Sequence, residues 1–560
     1  MIFEIRAKDG LGRVAKLSIN GKNIETPCLM PVINPNLPLI TPKEMKRLFK
    51  TDIIIANSYT LYKSFDIENI HKFLDFDGII VTDSGSFQLM QYGDIDITNK
   101  EIVMYQNKIG VDVATFLDIP TKPYANYEKA KRDLEITIER GEEARMLREG
   151  ELNGTIQGAA YLDLRKYASV QMSKYDFDIY PIGAVVPLLM EYDFSKLTEI
   201  ILTCKKYLPI NKPVHLFGAG HPLIFALTVL LGCDLFDSAA YALYANDNRY
   251  LTSYGTKNLN DMKYLPCSCP ICSEYTLEEL KASEEKIKLL ALHNLYATYE
   301  EIKKIKESIH ENSLWNFVES RIRNHPRLYY AYKKIKEYSD YIGKIDPFIK
   351  NTSLFYTGEE TKIRPLVTEA KKRLKRVSSK RDTSNPLFNY PKALAFTFPF
   401  NIEGDIDLDF DQNVESLKTI FDYQFGRGTG KKFLKDTTVK KSKTNRIRYI
   451  YGKELLATLR ARDNLFTLTS EGAKRLHRIL KYPYYRVMAS EQVVPFILEG
   501  RDLLSKFAVS WDTDLRAYEE VLVIDSNDFL LGTGKLMLSP KELEYFERGV
   551  AVKIRATVKL

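Results

Sequence analysis

The stretch GIIVTDSGSFQ, residues 78–88, decides how the first half of the chain folds. A β-branched run, Ile79-Ile80-Val81, stops abruptly at Thr82-Asp83-Ser84-Gly85. An apolar run bounded by turn residues reads as a buried strand. Asp83 then stands at the strand's C-terminal end, and Gly85 lets the backbone come close to whatever binds there. A lone aspartate in such a place is ordinarily a turn former or a helix cap. Here the construction recurs. Apolar runs at 52–56, 113–117, 154–156, 177–182, 214–217 and 233–236 alternate with helix-compatible segments. The residues after these runs are polar or small: Asn57, Asp118, Gln157-Gly158, Gly183-Ala184, Gly218-Ala219-Gly220 and Asp237-Ser238.

Strands alternating with helices over about 250 residues predict an α/β fold, a (β/α)8 TIM barrel whose chemistry gathers at the C-terminal ends of the strands. A doubly wound sheet is disfavoured because no glycine-rich dinucleotide fingerprint follows the early strands. Upstream, residues 3–32 alternate apolar and polar around Asp9-Gly10 and Asn20-Gly21. Both dipeptides are hairpin signals, and they predict an antiparallel sheet acting as a lid.

Composition narrows the class further. The chain has 560 residues, 45% of them hydrophobic, so it can bury large cores. No apolar run approaches the roughly 20 residues that span a bilayer. The N-terminus, MIFEIRAKDG, lacks a signal-peptide layout, so a cytoplasmic protein with no membrane partner is expected. A net charge of +8 is too small to establish a nucleic-acid partner alone. Basic residues do gather at 371–381 (KKRLKRVSSKR) and again at 431–448. Solvated faces account for either run by itself.

Of six cysteines, Cys28, Cys204 and Cys233 lie scattered in apolar surroundings as core thiols. The other three form Cys267-x-Cys269-x2-Cys272, followed by His293 near the far end of a helix expected over 278–292. Clustered cysteines in an unsecreted chain point to metal rather than to disulfides. Three thiolates and one imidazole suit a closed tetrahedral zinc site of structural role.

The strand-end constellation has its own chemistry. Two carboxylates facing each other across a sugar can cleave a glycosidic bond, one as nucleophile and one moving the leaving group's proton. The transition state is oxocarbenium-like, and a nearby negative charge stabilises it. Asp118 and Gln157 can read the donor and acceptor edge of a purine-like ring, with the backbone at Gly158 and Gly183 close to it.

Beyond the barrel, residues 282–343 show helical spacing and 380–386 (KRDTSNP) reads as a linker. Residues 394–398 read as a strand, followed by an acidic stretch at 405–411. Residues 425–432, FGRGTGKK, tempt a phosphate-loop reading but miss its spacing, and a glycine turn beside a basic strand fits better. Short strand-like runs fill residues 486–554 and predict a small β-barrel.

Together, Asp83-Ser84-Gly85-Ser86-Phe87-Gln88, Leu117-Asp118, Gln157-Gly158 with Asp163-Leu164-Arg165, Phe236-Asp237-Ser238-Ala239 and the Cys/His motif resemble the tRNA-guanine transglycosylases. The resemblance implies a TIM barrel with a zinc-binding insertion, one structural Zn2+ per chain held by Cys267, Cys269, Cys272 and His293, and a homodimer. It implies Asp237 as nucleophile and Asp83 as general acid/base, although the reverse assignment stays open on sequence. Ser84, Phe87, Asp118, Gln157, Gly158, Gly183, Ala184 and Val186 would bind substrate, with Phe87 stacking on the base. Ala159 departs from the second glycine that many members carry, which puts one backbone contact in question.

The C-terminal segments Leu498-Glu499-Gly500-Arg501-Asp502, Gly532-Thr533-Gly534 and 548–552 look like a PUA domain, an RNA-binding module. That tail, Gly183-Ala184-Val185-Val186-Pro187 in place of a Gly-Gly-Leu-Ala-Val loop, and Thr60 where bacterial members have histidine point to the archaeal branch. Its members exchange guanine at position 15 of the tRNA D-arm for 7-cyano-7-deazaguanine (preQ0), on the route to archaeosine. The expected domains are a catalytic barrel with zinc site (1–345), an accessory domain and linker (346–412), a second accessory domain (413–484) and the PUA domain (485–560). Two alternatives remain: a paralogue acting on the nitrile, disfavoured because Asp83 and Asp237 are kept, and a non-catalytic tRNA-binding protein.

Overall fold

The N-terminal segment supplies two different structures. β1 (Ile2–Asp9), β2 (Gly12–Ile19) and β3 (Lys22–Thr26) form the expected antiparallel sheet. β4 (Cys28–Ile33) does not continue it, contrary to the sequence reading, and instead pairs in parallel with strands far along the chain. Most of its residues are buried, as they are in parallel strands covered on both faces.

In this computed structural model, residues 1–86, 97–377, 380–381, 383–401, 413–444 and 447–558 are described. They divide into two compact units, Met1–His310 with Phe317–Ile335 and Glu311–Asn316 with Lys336–Leu560. The first unit holds the barrel: β4, β5 (Ile53–Asn57), β6 (Ile79–Asp83), β7 (Val113–Thr115), β8 (Glu151–Asn153), β9 (Tyr180–Ile182), β10 (Val214–Leu216) and β11 (Leu235–Ser238). They follow the order β8-β7-β6-β5-β4-β11-β10-β9 with every ladder parallel. Parallel bridges Asn153–Ile179 and Ile156–Ile182 join the two ends and close the ring. The strand expected at 154–156 therefore begins three residues earlier. Its C-terminal part bonds toward β9, through Gly154 N–H to the Ile179 carbonyl (2.8 Å) and Ile156 N–H to the Pro181 carbonyl (2.7 Å).

The antiparallel sheet covers the barrel's N-terminal end, the floor opposite the mouth. Arg13 Nε and Nη2 each donate to Asp234 at 2.8 Å, and Nη2 also reaches the Lys212 carbonyl at 2.7 Å. Lys22 Nζ donates to the Gly78 carbonyl at 2.7 Å and pairs with Asp112, which also accepts from Asn20. Gly78, Asp112 and Asp234 each directly precede a barrel strand. The predicted lid is thus a floor plug at the end of the barrel opposite the mouth.

After β11 a hairpin, β12 (Arg249–Thr252) with β13 (Gly255–Asn258), leads into the helical region. One helix was expected over 278–292, but the chain breaks into Leu277–Ala282 and Lys286–Glu311. Ser283 takes an extended conformation between them, which places His293 within the long helix rather than near its end. That helix packs its Tyr299 ring flat on Phe49, with centroids 5.2 Å apart.

In the second unit the expected linker forms a short hairpin, β14 (Thr383–Ser384) with β15 (Asn389–Tyr390), turned by Asn385. Residues 394–398 are not a strand; Lys392–Leu394 is a 3-10 turn between Pro391 and Pro399. The acidic stretch 405–411 lies outside the described residues. β16 (Thr438–Lys441), β17 (Arg448–Tyr451), β18 (Leu455–Leu459) and β19 (Phe466–Leu468) form an antiparallel sheet. The glycine turn before β16 is fixed by Asp422, whose carboxylate accepts from Gly428 N–H (2.9 Å) and Gly430 N–H (2.7 Å). A carboxylate of the chain itself thus takes the amides that a phosphate would need.

The tail strands are β20 (Arg486–Ala489), β21 (Leu503–Leu504), β22 (Ala508–Trp511), β23 (Glu520–Ile524), β24 (Leu530–Leu536) and β25 (Val550–Thr557). They make a six-stranded barrel-like sheet in the order β21-β25-β24-β23-β20-β22. Among the described residues, no helix is long and apolar enough to cross a membrane.

The Arg13–Asp234 pair has side chains only 5% and 1% exposed. Removing one partner of a buried pair costs about 3–5 kcal/mol, because the other charge stays buried. Arg13→Ala is therefore expected to lower barrel stability by about that amount in denaturant unfolding. An unchanged midpoint would refute the floor-plug role.

Candidate active site

Asp83 closes β6 and stands in register with Asn57 at the end of β5. Asn57 caps the helix Ser58–Ser64, its Oδ1 accepting from Thr60 N–H at 2.8 Å. The cap fixes the amide so that Nδ2 donates to Asp83 Oδ1 at 2.7 Å. Gly85 N–H donates to the same oxygen at 2.8 Å. Enclosure at the mouth raises the Asp83 carboxyl to about 7, with the Gly85 amide opposing and the charges of Asp237 and Asp118 reinforcing the rise. Asp83, Asp118 and Asp237 therefore share one electrostatic neighbourhood.

Asp237 lies on β11, beside β10. Its Oδ1 is 2.7 Å from His215 Nε2 and accepts from Gly218 N–H at 2.8 Å. Gly218 holds φ at +70°, and a Cβ there would lie 2.4 Å from Val186 Cγ2. Only glycine lets the backbone turn that amide onto Asp237 while Val186 packs behind it.

Asp118 follows β7 and is buried. Burial raises its carboxyl above the ordinary range, opposed by hydrogen bonds from Ser86 and Gln157 and by the charge of Arg140. Gln157 Nε2 donates to Asp118 Oδ2 at 2.5 Å. Gln157 Oε1 is buried with no hydrogen-bond partner among the described residues. A buried amide oxygen without a donor is costly, and this one has acceptor capacity that a bound ligand can use. Gly183 packs against this amide so closely that a Cβ would meet Gln157 Nε2 at 2.4 Å. Ser84 Oγ lies 2.5 Å from Ser86 Oγ, which ties it to Asp118.

Ala184 follows β9 with φ +56° and Ala159 follows β8 with φ +52°. Sequence reasoning quoted Arg165 in a motif without giving it a task. It is fully buried and donates to the carbonyls of Ala159 (2.8 Å), Ile156 (2.7 Å) and Gly183 (2.9 Å). Desolvation lowers its guanidinium to about 10. The side chain clamps the two loops that carry Gly158 and Ala184. Asn57 and His215 were also missed as partners of the carboxylates. Asn57 had a signal in its place after a strand, whereas His215 lay inside the apolar run 214–217 with no local signal of its own. Asp83 is held by Asn57 and Gly85, Asp118 by Gln157, and Asp237 by His215 and Gly218 beside Val186; Phe87 lies outside the described residues.

A second cluster joins Cys267, Cys269, Cys272 and His293, whose ligand atoms all lie within 4.8 Å of one another. His293 Nδ1 is 3.5 Å from Cys269 Sγ and 3.4 Å from Cys272 Sγ. Its Nε2 lies 3.0 Å from the Leu251 carbonyl. Donation to that carbonyl leaves Nδ1 bare toward the thiols, the arrangement by which metal-bound histidines are oriented. The Tyr250 ring stacks on the imidazole with centroids 3.6 Å apart. The group fits a metal ion.

A closed parallel barrel with acidic strand ends, an appended Cys3His cluster and a second, β-rich unit define the class. Residues 8–327 match the family model described as queuine tRNA-ribosyltransferase. Residues 415–483 match the patch-forming domain C2 of tRNA-guanine transglycosylase, and residues 485–558 match the PUA domain. Over its whole length the chain is 47% identical to a Thermococcus kodakarensis protein named tRNA-guanine(15) transglycosylase, covering 99% of that protein. Proteins of the same name from Pyrococcus furiosus (48%, 98% of its length) and Methanocaldococcus jannaschii (41%, all of its length) also match the full chain. The chain belongs to the tRNA-guanine transglycosylase family.

The raised Asp83 carboxyl has a consequence for stability. The folded protein holds a proton that the unfolded chain releases between 3.8 and about 7. That contribution is present at low pH and lost as pH rises through this window. Asp83→Asn is therefore expected to melt a few degrees higher than the parent near pH 8, with the gap shrinking near pH 5. A gap that is constant or widens toward acid, followed by calorimetry, would contradict the raised carboxyl.

Proposed function

We propose that the protein exchanges guanine at position 15 of tRNA for 7-cyano-7-deazaguanine through a covalent ribosyl-enzyme intermediate. The observation that carries this reading is the pair Asp83 and Asp237, two carboxylates at one mouth held in different environments. Asp237 attacks the ribose C1′ as the bond to guanine breaks. The bonding electrons leave with the base, and Asp83 supplies its proton. The incoming base then gives a proton to Asp83 and displaces Asp237, so two inversions retain the sugar configuration. A carboxyl near 7 suits a group that must both give and take a proton at neutral pH.

Asp118 and Gln157 read the edge of the base, with the buried Gln157 Oε1 accepting from a ring N–H or amino group. Ser84, Gly158, Gly183, Ala184 and Val186 complete the pocket, and the family resemblance implies that Phe87 stacks on the base. Position 15 follows the names of the relatives, and preQ0 follows the family resemblance. The target base must leave its stack, at a cost of a few kcal/mol. The PUA domain at 485–560 and the accessory segments 346–412 and 413–484 grip the tRNA, so binding weakens as salt rises. The Cys3His group holds zinc, which when bound ties the insertion together as a structural cross-link. The working form is a cytoplasmic homodimer.

The decisive assay supplies tRNA and labelled 7-cyano-7-deazaguanine to the parent, Asp83→Ala and Asp237→Ala. Incorporation is expected to fall by about 10³-fold or more in both variants with tRNA binding kept. A covalent tRNA adduct that persists in Asp237→Ala removes that residue as nucleophile. For the metal, elemental analysis of the purified parent is expected to give one zinc per chain, with the content reduced in Cys269→Ser. Zinc-free but fully folded parent protein would count against the site.

A further inference from the structure

His215 carries a buried group that the reaction above leaves without a task. Its side chain is 0% exposed, so it reaches neither substrate nor water as an acid or base. One nitrogen, Nε2, lies 2.7 Å from Asp237 Oδ1. The other, Nδ1, is buried with no hydrogen-bond partner among the described residues, and the Phe217 ring packs edge-on against the imidazole at 4.6 Å. A protonated imidazolium would carry N–H groups on both nitrogens, and the one at Nδ1 would have no acceptor. The neutral form with hydrogen on Nε2 leaves only a bare lone pair there and donates to Asp237.

Asp237 Oδ1 accordingly receives two donors, His215 Nε2–H and Gly218 N–H at 2.8 Å. No hydrogen bond to Oδ2 exists among the described residues. Asp83 shows the same division, with Asn57 and Gly85 both on Oδ1. We infer that His215 is a positioning residue which, as the neutral Nε2–H tautomer, pins Asp237 Oδ1 together with Gly218 so that Oδ2 is the oxygen presented to the ribose. The inference rests on the reading of Asp237 as nucleophile. A neutral donor orients the carboxylate without pairing its charge with a cation, which would blunt its attack on carbon.

The test uses the full chain with tRNA in single-turnover adduct formation. His215→Gln keeps an N–H donor at the place of Nε2, whereas His215→Phe fills the space without one. His215→Phe is expected to form adduct about 10²-fold more slowly, the loss a misplaced reacting group produces, with tRNA affinity unchanged. His215→Gln is expected to recover most of the rate. Phe at the parent rate, or Gln as slow as Phe, overturns the assignment.

Because Phe could disturb the barrel, 15N-histidine spectra of the parent supply a readout that needs no variant of His215. A neutral Nε2–H signal that shifts in Asp237→Ala supports the inference, and an imidazolium signal near pH 7 overturns it. Persistent adduct in Asp237→Asn, with the neutral Nε2–H signal intact in the parent, would fault the nucleophile assignment and not the tautomer.

Discussion

Three carboxyl groups, Asp83, Asp118 and Asp237, gather at one barrel mouth, and the cost of burying charged carboxylates there, to which neighbouring charge adds at Asp83, is the constraint the site is arranged to manage. A carboxyl taken out of water favours its protonated form, and a neighbouring negative charge adds to that preference. The structure separates them by environment. Asp83 is raised to about 7, and Asp118 is raised but steadied by Gln157, Ser86 and the charge of Arg140. Asp237 receives the His215 and Gly218 donors. One fold thereby holds three carboxyl groups in three different environments at one mouth.

The barrel makes this arrangement rigid. Closure through the bridges between residues 153–156 and 179–182 leaves no free sheet edge, so the strand ends cannot splay. The antiparallel floor seals the opposite end with Arg13, Lys22 and Asn20 reaching residues that precede the barrel strands. Behind the mouth, the Arg165 guanidinium ties the loops after β8 and β9 through three carbonyls. Ala159 and Ala184 remain in the left-handed region, a conformation that persists only where the surroundings over-determine it.

Much of this was legible in the chain. Apolar runs ending in Asp, Asn, Gln or Gly set the barrel strands, because parallel strands buried on both faces need continuous apolar sequence. Cys267, Cys269 and Cys272 announced a metal group through their spacing. The failures have physical causes. Residues 28–32 alternate well enough to look like a hairpin partner, and nothing local reveals that their partners are β5 and β11. The helix expected over 278–292 breaks at Ser283, a residue that a propensity argument passes through. Residues 394–398 are apolar and strand-like, yet two flanking prolines turn them. FGRGTGKK is filled by Asp422, which no local motif rule includes.

The sequence by itself determined the inventory: which strands exist, which carboxylates end them, which thiols cluster, and which family the motifs resemble. These follow from side-chain chemistry and short-range periodicity. Only the tertiary structure decided that the donors to Asp83 and Asp237 fall on Oδ1, that Gln157 Oε1 has no hydrogen-bond partner among the described residues, and that His215 lies against Asp237. Those outcomes depend on neighbours brought together by barrel closure from strands far apart in the chain, and a hydrogen bond's direction is set by that geometry rather than by the order of residues.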